Sequence, residues 1–239
     1  MYVFGSSAFI DSFQFLANNS LSDVGNDIPG NALDNLTRKL LNDAVGDAVD
    51  IITSGTEGMS SQQRWNEETP ALMEIIKRHI SRDSWVLDYG CGIGRLAKPL
   101  VEKLNCTVIG VDFSANMRAL ATSMIVDHRF FALDPLMMDK LNLKADAAIA
   151  VWTLQHCVDL KQAIWRITEV VRPGGALFVV NNKTRCLPVE NGEWADDGLN
   201  VDEMIQQSGF EQIEYGSLDD AIAPGWMKDN TFWAVYRRL

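Results

Sequence analysis

Apolar positions between residues 31 and 52 fall at Leu33, Leu36, Leu40, Ala44, Ala48 and Ile52, the spacing of one helix face. Asn31, after Pro29-Gly30, reads as the cap of that helix, and Gly46 weakens its middle. A second helix is predicted over 61–68. A third starts at Thr69-Pro70, with Thr69 as cap, Pro70 at the first helical position, and Leu72, Ile75, Ile76 and His79 as its buried stripe. The texture then changes to short apolar runs alternating with helical ones. "WVLDY", "TVIGVD", "RFFALD", "DAAIAVWTL" and "ALFVVNN" read as five strands. Helices are predicted between them, from Gly94, from Ser114 and from Asp159, the last with Gln162 as capping partner. The fourth run is apolar throughout, as in a strand buried on both faces.

This alternation predicts an α/β fold, a parallel sheet covered by helices on both sides. A helix near 201–208, then "FEQIEYGSL", a Pro224-Gly225 loop and "TFWAVYRRL" predict an antiparallel hairpin at the sheet edge. Residues 1–58, rich in Asn, Asp, Ser and Gly, form a helical extension ahead of one domain over 59–239.

Charge narrows the partners. With 32 acidic against 21 basic residues the net charge is −11, which disfavours nucleic acid and anionic membrane surfaces. The N-terminal "MYVFGSSAFIDSF" has no basic segment and is interrupted by Asp11, unlike a signal peptide. No apolar stretch reaches membrane-spanning length. Cys91, Cys106, Cys157 and Cys186 form no C-x-x-C pair and no zinc-spaced cluster, so no metal is expected and reduced thiols in a cytoplasmic protein are.

The chemistry concentrates in "LDYGCGIGR", where Gly90, Gly92 and Gly94 alternate after the first strand. Gly92, Gly94 and Ala97 satisfy the looser G-x-G-x-x-A dinucleotide pattern, so an NAD(P)-dependent oxidoreductase stays open. Asp88, at the end of the strand, argues for a different ligand, because a carboxylate there repels a pyrophosphate and suits an ammonium group. Asp112 ends the next strand, where it can accept both hydroxyls of a ribose. Asp134 ends the third and can accept an adenine amine, although Asp-Pro reads equally as a turn former. Three strand-end acids beside one glycine turn describe a cationic nucleoside.

These residues resemble the class I S-adenosylmethionine-dependent methyltransferases over about 65–239. The carriers are "VLDYGCGIGRLAKPL", "VIGVDFSANM", and "DAAIAVWTLQHCVDL" followed by "VVRPGGALFVV". The resemblance implies a Rossmann-like, doubly wound, seven-stranded and mostly parallel sheet in order 3-2-1-4-5-7-6, with strand 7 antiparallel. It implies S-adenosyl-L-methionine as cofactor, with Gly90, Gly92 and Gly94 under its methionine part and Asp88 at its amino end. Asp112 would hold the ribose. Phe113, Met117 and Leu133 would pack around the adenine, with Asp134 near its amine. Ala150 and Val151 would border the sulfur. Arg64 would meet the carboxylate, or is equally a solvated helix charge.

The implied reaction is in-line displacement of the sulfonium methyl, for which positioning supplies much of the acceleration. Trp65 and Trp152 are aromatic candidates near the cation, or core residues. His156, after the fourth strand, is the candidate base, and reads equally as a packing or capping residue. "VWTLQH" lacks the acid/Asn-Pro-Pro-aromatic motif of base-amino DNA methylation, which leaves a small-molecule acceptor. The extension and "KTRCLPVENGEWADDG" are the expected acceptor cover. A non-catalytic, nucleoside-binding member of the fold is the further alternative.

Overall fold

The computed structural model describes residues 30–239 except 54, 56–57, 189–193, 219–221 and 224, and gives only the backbone of 30–38 and 40. Residues 1–29 of the expected extension and the side chains of Leu33, Leu36 and Leu40 lie outside the described residues.

Helix α1, Gly30–Ile52, runs unbroken through Gly46 and already contains Asn31. Its C-terminal half buries Ala48 and Val49 against Ile93, Met117 and Leu120, with Ala44, Val45 and Ile52 packed around them. Of the expected stripe, Ala44, Ala48 and Ile52 therefore face the domain. Helix α2, Ser61–His79, is one helix where two were expected, with Ser60 as its cap and Pro70 inside it. The Thr69 hydroxyl does not cap; it donates to the Trp65 carbonyl at 2.6 Å. Pro70 removes one backbone hydrogen bond, but Arg64, Glu68, Leu72, Met73 and Ile76 form a buried face continuous across it. Burial of that face outweighs the interruption.

The sheet has seven strands among the described residues: β1 (Trp85–Tyr89), β2 (Thr107–Val111), β3 (Phe130–Leu133), β4 (Ala145–Val151), β5 (Val171–Asn182), β8 (Phe210–Gly216) and β9 (Thr231–Arg238). Their order is β3-β2-β1-β4-β5-β9-β8. Strand β9 is antiparallel to both neighbours and the first five are parallel. This is the expected order, with a short ribbon of β6 (Leu187–Pro188) and β7 (Trp194–Ala195) inserted in the loop after β5. Helices α3 (Ala97–Leu104), α4 (Ala115–Met124), α5 (Pro135–Lys140), α6 (Leu160–Val170), α7 (Val201–Gln207) and α8 (Trp226–Asn230) complete the fold. Arg172-Pro173-Gly174-Gly175 lies in the irregular start of β5, after α6 has ended at Val170.

Successive strand residues point to opposite faces, and each face has its own core. Val86, Val108, Ile149 and Phe178 face one helical layer. Leu87, Ile109, Ala148 and Leu177 face the other. The register aligns Leu87 with Ile109 and Ala148, so β1, β2 and β4 end together at one edge of the sheet, where ligands of such sheets bind.

Candidate functional site

At that edge the chain leaves β1 through Gly90, Gly92 and Gly94, with φ of 81°, 54° and 83°, the left-handed region that favours glycine. Space also demands glycine. A Cβ on Gly90 would overlap the Thr153 side chain, one on Gly92 would lie 2.7 Å from Ile52 Cδ1, and one on Gly94 2.5 Å from Ile125 Cδ1. The amides of Gly90 and Cys91 both donate to the Val111 carbonyl, at 2.7 and 3.0 Å, which fastens the turn to the end of β2.

Two acids frame the turn. Asp88 is 4% exposed and lies near the Ala97 amide. Burial pushes its pKa up to about 7, the neighbouring Asp112 adds to this, and the Ala97 amide opposes it. That amide belongs to the N-terminus of α3, the position a dinucleotide pyrophosphate would need. Here it faces a buried carboxylate, which argues against the NAD(P) alternative. Asp112 Oδ2 accepts from the Gly92 amide at 2.9 Å and Oδ1 from the Ser114 amide at 2.8 Å.

The expected adenine residues are less uniform. Phe113 stands 72% exposed beside Asp112, with its carbonyl held by Arg118. Met117 is buried in the cluster under α1, whereas Leu133 packs on the opposite face of the sheet. Asp134 Oδ1 caps α5 by accepting from the Met137 amide at 2.9 Å, the turn-forming role the sequence left open. Ala150 is fully buried in the core, and Val151 reaches the site.

A void of about 20 Å³ lies beside the turn, walled by Ile52, Asp88, Gly90, Arg95, Val151 and Trp152. Next to it sits a buried charge cluster that the sequence reading only touched. Glu68 Oε2 accepts from Arg64 Nε at 2.8 Å; Glu68 Oε1 accepts from Arg95 Nη2 at 2.9 Å and from Trp152 Nε1 at 2.6 Å. Burial alone would raise the pKa of Glu68, but Arg95 and Arg64 outweigh it and hold the carboxyl below its ordinary value. The Arg64 guanidinium lies 4.9 Å from the centre of the Trp152 ring, and that of Arg95 5.4 Å from Trp65. Arg95 and Glu68 were missed by sequence reasoning. The available signals were that Arg95 follows the glycine turn directly and that Glu68 stands four residues after Arg64, on the same helix face.

His156 lies in a 3₁₀ turn, Leu154–His156, after β4. Its Nδ1 lies 2.7 Å from the Cys186 carbonyl and its Nε2 3.1 Å from Gln155 Nε2. These partners fix the neutral tautomer, with Nδ1–H donating and Nε2 accepting. Its pKa is lowered mainly by burial, partly offset by the bond to Cys186. Trp194 of the ribbon packs 5.0 Å from the ring. The same loop is anchored by Arg185, which is buried and donates to the carbonyls of Leu154 and Cys157. A wider groove, about 540 Å³, runs along β8 beside Asp202 and Tyr215, separated from β1 by three strands.

Residues 86–175 match the family model described as a methyltransferase domain. The chain is 33% identical over 110 residues to an uncharacterized methyltransferase of Mycobacterium bovis, covering 46% of this chain and 55% of that protein. It is 30% identical over 157 residues to a malonyl-[acyl-carrier protein] O-methyltransferase of Pseudescherichia vulneris, covering 59% and 62%. The chain thus spans about half the length of the curated relatives it matches. Among solved structures it resembles an S-adenosylmethionine-dependent methyltransferase from Mesorhizobium loti, with a TM-score of 0.56, 18% identity, and coverage of 73% of this chain and all of that one. Residues 86–175, which carry the glycine turn, are thus similar to a methyltransferase domain, and the sheet has the fold of the solved S-adenosylmethionine-dependent methyltransferase.

Proposed function

We propose that the chain binds S-adenosyl-L-methionine at the glycine turn and transfers its methyl group to a small organic acceptor. The observation that carries this reading is Asp88, a buried carboxyl against the turn whose charge awaits a cation. The residues present fit the cofactor. Asp88 meets an ammonium group, Asp112 presents carboxylate oxygens at the end of β2 for ribose hydroxyls, and exposed Phe113 offers an aromatic face. Gly90, Gly92 and Gly94 keep the floor free of side chains. Met117 lies under α1 on the adenine side and Val151 borders the sulfur, while Leu133, Asp134 and Ala150 support the strand ends from the core and the α5 cap. When bound, the cofactor would supply a sulfonium-activated methyl group for transfer to an acceptor.

The acceptor's place is beside Trp152 and His156, under the ribbon. His156, held neutral by burial, is in the protonation state a base needs, and an acceptor hydroxyl that replaces the Gln155 amide at Nε2 gives its proton to the ring. The Pseudescherichia relative, named for methyl transfer to oxygen, supports such an acceptor. The net charge of −11 disfavours nucleic acid as acceptor. Four unpaired cysteines fit a cytoplasmic setting.

We assign α1 the part of a cover over the cofactor. Ile52 at its end rests on Gly92 and walls a void with room for about one water. The methionine chain is therefore admitted by displacement of this end of the helix.

The test is conversion of S-adenosylmethionine to S-adenosylhomocysteine with small hydroxyl, carboxyl and amine acceptors. Acceptor-dependent product that disappears in Asp112→Ala supports the reading. Tight binding with no turnover on any acceptor favours the non-catalytic, nucleoside-binding alternative.

A further inference from the structure

A chain of hydrogen bonds runs through the 3₁₀ turn after β4. The Asn182 amide, at the end of β5, donates to Gln155 Oε1 at 2.6 Å. Gln155 Nε2 lies 3.1 Å from His156 Nε2, and His156 Nδ1 lies 2.7 Å from the Cys186 carbonyl. Both ends are backbone groups, and a backbone amide can only donate while a carbonyl can only accept. The direction of the whole chain follows. Gln155 must turn its oxygen to Asn182 and its NH₂ to the ring, and the ring must carry its hydrogen on Nδ1 and a lone pair on Nε2.

Gln155 is held in that sense. It is 4% exposed, its own amide donates to Asn181 Oδ1 at 3.0 Å, and its carbonyl accepts from the Cys186 amide at 2.9 Å. Flipping the side-chain amide would set NH₂ against the Asn182 amide, two donors face to face. The nearby thiols do not compete for the ring lone pair. Cys157 Sγ donates to the Thr153 carbonyl at 3.5 Å, and Cys186 Sγ accepts from Asn182 Nδ2 at 3.1 Å. Of the charged side chains, Arg185, paired with Asp197 at 3.4 Å, acts on the ring and disfavours its protonation. The Gln155 NH₂ has two hydrogens, and among the described residues its one partner is His156.

A donor and a lone pair thus stand side by side. A group that both accepts and donates satisfies both at once, and a neutral hydroxyl is such a group. An ammonium, with donors only, opposes the Gln155 NH₂; a carboxylate, with acceptors only, opposes the Nε2 lone pair. We infer that Gln155 is a specificity-determining residue that selects a hydroxyl as the methyl acceptor, donating to the hydroxyl oxygen while His156 Nε2 receives its hydrogen. The inference rests on the proposed methyl transfer and names the acceptor group. The O–H bond breaks with its electron pair left on oxygen, the proton bonds to Nε2, and the methyl group takes the proton's place on oxygen. The imidazolium so formed, beside Arg185 and a donor NH₂, passes the proton on to water.

The experiment has two readouts on the full chain. The first needs no turnover: NMR of the ring nitrogens, in a chain with three histidines. The wild-type His156 ring is expected to carry its hydrogen on Nδ1, with Nε2 bare. Gln155→Glu, which can still accept from the Asn182 amide, should move the ring's titration to higher pH, with a hydrogen on both nitrogens where the wild type has one. The second readout is the ratio of turnover with acceptors that differ only in the reacting group: benzyl alcohol, benzylamine and benzoate, and hexanol, hexylamine and hexanoate. The wild type is expected to favour the hydroxyls. Gln155→Met should lower that preference by about 3- to 10-fold, the range of one hydrogen bond, and decides the matter if Gln155→Glu does not fold. A purely structural role for Gln155 would weaken all acceptors alike and leave the ratio unchanged, which overturns the inference. So does a wild-type ring with its hydrogen on Nε2, or a titration that is the same in Gln155→Glu. No turnover of any acceptor overturns the methyl-transfer reading itself, and the ring's tautomer tells the two failures apart.

Discussion

The Asp112 carboxylate holds the Gly92 amide, Oδ2 to N at 2.9 Å, and so ties the end of β2 to the middle of the glycine turn. Its other oxygen holds the Ser114 amide at the start of α4. One side chain thus sets the shape of the turn and presents the charge that a ribose would meet. Asp112→Ala is expected to leave the sheet folded but to free the Gly92 amide, seen as lost hydrogen-exchange protection by NMR, and to weaken S-adenosylhomocysteine binding by more than about 10-fold. Unchanged protection at Gly92 would show that the turn holds its shape without Asp112.

Asp88 makes ligand binding pH-dependent. Its pKa is about 7 in the folded chain against an ordinary 3.8, because burial and then Asp112 disfavour its charge. Between those values the folded state holds more protons than the unfolded one. This group's contribution to stability therefore falls as pH rises from about 4 to 7. An ammonium-bearing ligand favours the carboxylate, so binding below pH 7 releases a proton. Affinity for S-adenosylhomocysteine should rise between pH 5.5 and about 7 and then level off. Asp88→Asn should bind more weakly with a flat profile. Calorimetry in two buffers of different ionisation enthalpy reads the released proton; a wild-type profile as flat as the variant's would refute the assignment.

The contact between α1 and the glycine turn is testable through stability. Gly92→Ala strains a φ of 54° and brings a methyl within 2.7 Å of Ile52 Cδ1, for an expected loss of about 1–3 kcal/mol in urea unfolding. Ile52→Ala removes the contact but not the strain. The double variant should be less destabilised than the sum of the singles, by about 0.5 kcal/mol or more. Strict additivity would mean that Ile52 does not rest on the turn in solution.

His156 links pH to the ribbon. Burial lowers its pKa, so on acidification the unfolded chain takes up a proton before the folded one does. Its contribution to stability is complete above about pH 6.5 and is lost as pH falls through the lowered folded value. Protonation at Nε2 would also face the Gln155 amide with a second donor, near a positive Arg185. The fluorescence of Trp194 is expected to shift on acidification below the ordinary histidine range as the ribbon loosens, and His156→Gln should abolish the pH dependence while keeping a polar contact. A shift of the same size in the variant would assign it to another group.

The strands, the glycine turn and the strand-end acids were legible in the sequence because each is local: apolar runs, a spacing, a terminal residue; the sheet order came from the family resemblance. Pro70 misled because a local rule for helix starts was overruled by a buried face running from Arg64 to Ile76. Helix α5, the ribbon and α8 are too short for periodicity to register. The Glu68–Arg95–Trp152 contact joins residues far apart in the chain, so only the fold reveals it. The sequence likewise offers no sign that both ring nitrogens of His156 are engaged, which follows from the paths of Gln155 and Cys186.

The central claim is that the glycine turn holds an amino-acid-bearing nucleoside and not a dinucleotide. Titration calorimetry of the full chain with S-adenosylhomocysteine and with NADH tests it directly. The account predicts saturable binding of S-adenosylhomocysteine at one site in the micromolar range, no heat from NADH, and loss of the first signal in Asp112→Ala. Saturable NADH binding with no response to S-adenosylhomocysteine or S-adenosylmethionine would contradict it.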